Sequence, residues 1–265
     1  MTNIQTKMNY KQLTEDIADW IKQYTINNGL KSLIVGVSGG CDSGLVSTLC
    51  AKTGLPTYCY GLPIISHPEN NKNSEIQLNW LKSNFPNVKT EIKDLSDTYI
   101  TFKDGLNLND LTKANTKSRL RMVFLYAMAG NYDGLVVGCG NVIEDFHCFF
   151  YTKYGDGGVD ISPIADLKKS EVRELGKFLQ IPQEIHSAIA TDGLWEDNRK
   201  DHDQLNGATY DELEEIMELS KTRIADMNEL TDRQKEVYKI YLKFHKKGKH
   251  KSLPIPVFKV DKSKY

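Results

Sequence analysis

Apolar residues at Leu13, Ile17, Trp20, Ile21 and Tyr24 recur at helical spacing, and Asn27–Gly29 closes the helix they predict. "SLIVGV" then reads as a buried strand, too short and too β-branched for a core helix. Leu45 to Lys52 is a short helix ended by Gly54 and Pro56, and "TYCYGLP" is a second strand closed by Pro63. Ser66 to Ser74 is polar, rich in Asn and Ser, and is expected to be a surface loop. Ile76 to Leu81 is helical, "VKTEIKDL" is a third strand, Ala114 to Met128 is a long helix, and "GLVVG" (Gly134 to Gly138) is a fourth strand. Strands alternating with helices at this spacing predict an α/β fold. Its sheet is doubly wound and mostly parallel, with helices on both faces. Ligands of such sheets bind beyond the carboxyl ends of the strands, where "SGGCDSG" and "GCGNVIED" lie.

Beyond Phe149 the pattern changes. "YTKYGDGGVDISP" is a glycine-rich polar loop, and Ser170 to Leu179 is a helix with Val172, Leu175 and Phe178 on one side. Thr191 to Gly207 is a long, polar, charged loop, of the kind that is usually a lid or disordered. Thr209 with Glu212, and Thr231 with Gln234, form capping boxes for two further helices. The tail "FHKKGKHKSLPIPVF" is basic and then ruled by proline. There are no internal repeats and no low-complexity segment. The expected organisation is one domain over 1–265, with a nucleotide core at about 30–180 and a lid plus C-terminal helical segment at about 190–265.

Composition changes this picture little. Hydrophobic residues make up 40% and charged residues 26%, and the formal net charge is -1, so no global field favours nucleic acid or a membrane surface. The five cysteines include no C-x-x-C pair, which argues against a zinc ribbon and a disulfide framework and suits a reducing compartment. The start "MTNIQTKMNYKQL" carries no apolar leader, and no apolar run approaches the ~20 residues of a membrane span. A cytoplasmic protein is expected.

The chemistry concentrates in "SGGCDSG". Gly39 and Gly40 let backbone N–H groups approach a ligand closely, and the helix that follows points its positive end at the same spot. Ser38 and Ser43 add hydroxyls. Asp42 repels an anion unless a cation intervenes, and Mg²⁺ bridging Asp42 to phosphate oxygens resolves the conflict. The loop lacks the G-K-[ST] ending of a Walker A motif and is not a G-x-G-x-x-G fingerprint.

The loop resembles the pyrophosphate-binding loop of the N-type ATP pyrophosphatases, which share the adenine nucleotide alpha hydrolase-like fold. "NTKSRLRMVFLYAMAG", "VVGCGNVIED", "YTKYGDGGVDISPIADLKKSEV", "TDGLW" and "HKSLPIPVF" follow in the order found in NAD⁺ synthetases. Over residues 10 to 260 the chain is similar to the ammonia-dependent branch of that family, and it leaves no room for a glutaminase domain. The resemblance implies ATP-dependent amidation of deamido-NAD⁺ by ammonia through an adenylated carboxylate. It also implies Mg²⁺ and a homodimer with the substrate site at the interface. It places ATP on Ser38, Gly39, Gly40, Cys41, Asp42, Ser43, Cys139, Lys169 and Thr191, with Asp42 and Glu144 as metal ligands and Asp42 and Lys169 as the catalytic pair. It places deamido-NAD⁺ on Arg119, Lys153, Asp160, His250 and Lys251, with Arg121 structural. Ser66–Ser74 and Trp195–Gly207 are the lid candidates, and either Asp156 or Asp192 takes the proton from ammonium.

Departures from the family pattern mark points to inspect. Cys139 stands where threonine is usual, Gly44 replaces a Ser or Thr, and His202 stands where an acid is common. Asn206 reads as an insertion, and Cys148–Phe149 replace a glycine-containing stretch. Two rival readings remain at this stage. One is a tRNA-modifying pyrophosphatase using Cys41 for sulfur chemistry. The other is a non-catalytic nucleotide-binding regulator.

Overall fold

The structure, a computed structural model, describes residues 8–66, 68–195, 197, 199–221 and 229–265. Residues 1–7 and 222–228 and the lid-candidate residues His67, Glu196 and Asn198 lie outside the described set. Four strands, β1 (Ser32–Gly36), β2 (Thr57–Gly61), β3 (Val88–Ile92) and β4 (Gly134–Val136), form one parallel sheet in the order β3-β2-β1-β4. The sequence predicts all four. Alternation along the strands divides the core. Leu33, Val35, Cys59, Leu135 and Val137 face one side, while Ile34, Tyr60 and Val136 face the other. Helices α1 (Tyr10–Asn27), α2 (Cys41–Lys52) and α3 (Pro68–Asn84) cover the first side with α6 (Lys169–Phe178). Helices α4 (Ser96–Lys103) and α5 (Asp110–Asn131) cover the second. The doubly wound expectation therefore holds.

Several local expectations are corrected. Helix α2 begins at Cys41, directly on the glycine turn, rather than at Leu45. The Ser66–Ser74 stretch is not a surface loop, because α3 starts at Pro68, a residue suited to the first helical position. Its inward stripe begins with polar residues, Ser74 and Gln77, before Leu78 and Leu81, so hydropathy alone does not reveal it. Gln77 donates from Nε2 to the Gly44 carbonyl at 3.1 Å and to Ser47 Oγ at 3.2 Å, which satisfies that amide nitrogen inside the core. The buried stripe of α1 is Thr14, Ala18, Ile21 and Thr25, while Trp20 and Tyr24 lie exposed with their rings in tilted contact. Phe178 is likewise exposed, lying against Tyr10.

The C-terminal third packs on the sheet's carboxyl edge. After β4 the chain enters a π-helical turn, Ile143–Cys148, ended by Phe149 in the left-handed conformation (φ 50°). Helices α7 (Gln183–His186) and α8 (Asp201–Gln204) are single turns. Helices α9 (Tyr210–Lys221) and α10 (Asp232–Gly248) enclose a second core with Val142, Ile143 and Cys148. Both capping boxes form: Glu212 accepts from Thr209 N at 2.9 Å, and Gln234 accepts from Thr231 N at 2.9 Å. No helix among the described residues is long and apolar enough to cross a membrane.

Gly44 has a packing cause. A Cβ there would lie 2.5 Å from Ile185 Cγ2, so Ile185 of α7 fills the space a larger residue needs. Gly44→Ser is expected to destabilise the fold by about 1–3 kcal/mol, measured by urea denaturation, and to cost less when Ile185 is also changed to Ala. The same loss in both backgrounds would contradict this packing.

Candidate active site at the sheet's switch point

Strand β1 has β2 on one side and β4 on the other, so the chain reverses its direction of progress between β1 and β4. The segments leaving those two strands must diverge, and a crevice opens between them. A cavity of about 470 Å³ occupies this position. It is lined by the glycine turn after β1 and by Gly138–Gly140, Glu144 and Asp145 after β4. Lys169 and Ala188–Leu194 close it from the side.

The glycine turn is held from within. Gly39 has φ 89°, and a Cβ on it would stand 2.6 Å from the Ser74 nitrogen, so both backbone shape and the approach of α3 require glycine. Ser74 Oγ donates to the Val37 carbonyl at 2.6 Å, fixing the end of β1. Ser43 Oγ accepts from Ser38 N at 3.1 Å and lies 3.0 Å from Ser38 Oγ. The first turn of α2 then follows with Cys41 and Asp42. The proposed Ser66–Ser74 lid is thus largely the first turns of a packed helix, with Asn73 and Ser74 walling the turn.

Three elements bring their charges to one point. Lys169, the first residue of α6 and only 4% exposed, donates Nζ to Glu144 Oε1 at 3.0 Å and also to Asp42 Oδ2. Burial pushes the Lys169 ammonium toward deprotonation, but Asp42 and Glu144 overcome it and hold its pKa well above the ordinary value. Burial likewise pushes Glu144 up, yet Lys169 and Tyr210 hold it below the usual carboxylate value. Burial pushes the Asp42 carboxyl above its ordinary value against the pull of Lys169, so Glu144 is the carboxylate held firmly ionised beside the shared ammonium.

Two residues that organise this cluster escape the sequence reading. Asn141 is fully buried, and its Oδ1 accepts from the backbone nitrogens of Ile143 and Glu144, each at 3.1 Å, so it starts the π-helical turn. Its Nδ2 leans toward Asp42 Oδ1 at 3.5 Å. Tyr210, at the start of α9, donates its hydroxyl to Glu144 Oε1 at 2.6 Å, and its ring lies 4.8 Å from Lys169 Nζ. Asn141 sits inside the quoted "GCGNVIED" and was legible as an Asx cap. Tyr210 carries no local signal, because its partners in this cluster, Lys169 and Glu144, are 41 and 66 residues away in the chain.

The remaining residues expected at ATP line the same cavity. Cys139 lines the cavity, and burial and then Asp42 push its thiol upward, so it stays neutral and a weak donor. Cys41 is pushed up to about 12 by burial and by Asp42, which removes the thiolate that sulfur chemistry at the turn would need. Thr191 lines the cavity and donates Oγ1 to the Arg199 carbonyl at 3.1 Å. Asp156 and Asp192 both line it. The first accepts from Thr152 N at 2.9 Å and Ser118 Oγ at 2.8 Å, the second from Trp195 Nε1 at 3.2 Å and Gln204 Nε2 at 3.0 Å.

The expected dinucleotide residues are not brought to this cavity within one chain. Arg119 donates Nε to the Lys153 carbonyl at 3.3 Å on the outer side of α5, and Lys153 Nζ lies over the Tyr154 ring. Asp160 accepts from Val136 N at 2.7 Å and Tyr126 Oη at 2.9 Å, ending β4. His250 donates Nδ1 locally to the Lys247 carbonyl at 3.1 Å, while Lys251 donates to the Phe149 and Tyr151 carbonyls at 2.8 and 2.6 Å. Arg121, expected to be structural, donates to the Leu62 carbonyl at 2.8 Å and also lines the cavity. Burial lowers its pKa to about 10, and it remains a cation.

The chain matches the NAD synthase family over residues 13–254. It is 34% identical over 233 residues to an NH(3)-dependent NAD(+) synthetase of Finegoldia magna, covering 86% of this chain and 93% of the relative. It is 31% identical over 257 residues to the enzyme of the same description from Sulfolobus acidocaldarius, covering 96% and 91%. Among solved structures it is similar to NMN synthetase from Francisella tularensis, with TM-score 0.83 and 27% identity over 96% of this chain and 100% of that one. The NH3-dependent NAD synthetase of Campylobacter jejuni shares the fold, with TM-score 0.77 at 22% identity over 95% and 100% of the two chains. A glycine turn at the switch point, an ammonium shared by two carboxylates and these relatives agree: the chain belongs to the NAD synthase family, in the company of its ammonia-dependent members.

Proposed function

We propose that the Asp42–Glu144–Lys169 cluster is where this ammonia-dependent NAD⁺ synthetase activates its substrate. The family reaction has two steps. A carboxylate oxygen of the nicotinate ring of deamido-NAD⁺ attacks the α-phosphorus of ATP, and the α–β phosphoanhydride bond breaks to release pyrophosphate. Ammonia then attacks the carbonyl carbon of the mixed anhydride, AMP leaves with the electron pair of the C–O bond, and nitrogen gives up a proton.

The observation that carries the assignment is the convergence of two carboxyl groups on one buried ammonium beside a glycine turn. That donor set suits Mg²⁺, which takes hard oxygens and usually needs only one or two carboxylates when phosphates supply the rest. Asp42 and Glu144 would hold Mg²⁺, which would supply positive charge against triphosphate oxygens. The Lys169 ammonium would offer phosphate a point charge, and the backbone N–H groups of the turn and the start of α2 would face the same anion. Arg121, on the cavity wall, adds a fixed cation.

The neutral thiols of Cys41 and Cys139 speak against a sulfur-transferring tRNA enzyme, and the intact acid–lysine cluster speaks against a regulator without chemistry. A second substrate reading is kept because a neighbour of high structural similarity is described as NMN synthetase, which makes nicotinate mononucleotide the competitor of deamido-NAD⁺. A homodimer is the proposed assembly and the cytoplasm the proposed location. Helix α5 presents Arg119 beside Val123, which is 58% exposed, and Tyr126, and a partner packed there would bring the outer residues Arg119, Lys153 and Asp160 to an interface.

Incubation with ATP, Mg²⁺, ammonium and deamido-NAD⁺ is expected to give NAD⁺ and AMP, with AMP absent when deamido-NAD⁺ is left out. Faster amidation of nicotinate mononucleotide would move the substrate assignment. Asp42→Asn and Lys169→Met are each expected to lower turnover by at least about 100-fold with an unchanged far-ultraviolet circular dichroism spectrum. Retained activity would refute their roles. Chelation by EDTA is expected to abolish AMP release and added Mg²⁺ to restore it; full activity in EDTA would remove the metal from the scheme.

A further inference from the structure

Tyr210 stands between two carboxyl groups. Its hydroxyl oxygen is 2.6 Å from Glu144 Oε1 and 2.8 Å from Asp201 Oδ2. A phenol has one hydrogen, and an ionised carboxylate only accepts. If both acids were ionised, one of these two short contacts would set lone pair against lone pair. The second hydrogen must come from a carboxylic acid. Glu144 already faces the Lys169 ammonium at 3.0 Å, which favours its ionised form, so Asp201 is the member that keeps a proton.

The surroundings of Asp201 agree. Its side chain belongs to a residue only 5% exposed, and among the described residues its Oδ1 is buried without a hydrogen-bond partner. A neutral carbonyl oxygen left unpaired costs far less than an unpaired buried charge. Burial, followed by the charge of Glu144, raises the Asp201 carboxyl to about 7. The acid therefore donates to Tyr210, and Tyr210 donates onward to Glu144.

The three groups come from separate parts of the chain. Asp201 opens α8, within the segment expected to act as a lid, and its backbone N–H holds the Ala190 carbonyl at 3.1 Å. Tyr210 opens α9, and its ring lies 4.8 Å from the Lys169 ammonium. Glu144 sits in the π-helical turn after β4. We infer that Tyr210 is a positioning residue for the adenylation step: its one proton orients Glu144, its ring supports the Lys169 ammonium, and the acid of Asp201 ties both to α8. This rests on the reading of Asp42, Glu144 and Lys169 as the nucleotide site.

The consequence is a link between segment and site. With Asp201 in place, the phenol has a single orientation, because its oxygen accepts from one side and gives on the other. With Asp201 withdrawn, the hydroxyl loses that constraint and Glu144 and Lys169 lose a fixed neighbour.

The test uses the full-length enzyme with Tyr210→Phe, Asp201→Asn and Asp201→Ala, and with Tyr210→Phe also placed in a Glu144→Gln background. Two readouts are taken beside thermal melting: deamido-NAD⁺-dependent exchange of pyrophosphate into ATP, and calorimetric binding of α,β-methylene-ATP with Mg²⁺. Tyr210→Phe keeps the ring and removes only the hydroxyl. It is expected to slow exchange about 10-fold or more and to leave KM for ammonium within about 3-fold, since the loss falls on the first step. It is expected to weaken analogue binding in the wild-type background and to have no more than about 2-fold effect once Glu144 is Gln, because the hydroxyl acts through that carboxylate. Asn at position 201 donates from its amide as the acid does, so Asp201→Asn is expected to lose several-fold less exchange activity than Asp201→Ala. Equal losses for the Asn and Ala variants, or an equal effect of Tyr210→Phe in both backgrounds, would overturn the inference. Unweakened analogue binding by the Glu144→Gln single variant would instead overturn the underlying site assignment.

Discussion

One buried ammonium allows this site to exist. Asp42 and Glu144 leave different strand ends and approach the same point, where two carboxylates in low dielectric would repel each other and lose their hydration. Lys169 removes that conflict by donating to both. Its position is set by the N-terminus of α6, where Glu171 accepts from Lys168 N at 2.8 Å, and by Glu214 of α9, which accepts from Ser170 N at 3.0 Å. The same cation that makes the cluster stable in the absence of nucleotide is the one suited to meet phosphate charge when nucleotide and metal arrive.

The sheet supplies the place and the irregular backbone supplies the aim. The order β3-β2-β1-β4 puts the two functional turns next to each other. After β1, a glycine with φ 89° turns the chain directly into α2. After β4, Asn141 caps a π-helical turn that directs Glu144 back toward Asp42. Such turns interrupt regular helices and recur at functional sites because they re-aim single side chains. Phe149, in a conformation that glycine adopts more easily, ends the turn and packs against His245 of α10, so the second core is built onto the site's own backbone.

The strands and the glycine turn were legible because short β-branched runs and paired glycines carry their meaning locally. Asp42 was legible from a charge conflict in the loop itself, whereas Glu144 and Lys169 needed the family motifs around them. The start of α3 was not legible, since its inward positions are Ser74 and Gln77, whose burial is satisfied by hydrogen bonds to the chain near α2 rather than signalled by hydropathy. Helical spacing found α1 but not its buried face: Trp20 and Tyr24 meet at a tilt outside, while two threonines bond back to their own helix and go in. Tyr210 was invisible because long-range partners leave no periodic trace.

The position of the metal relative to these side chains is the most direct measurement. A crystal soaked with α,β-methylene-ATP and Mn²⁺, read by anomalous diffraction, is expected to show one manganese peak within coordination distance of both Asp42 and Glu144, with Lys169 turned to the phosphates. A peak elsewhere, or nucleotide density away from the glycine turn with the Lys169 ammonium still between the two acids, would contradict the shared-cation site.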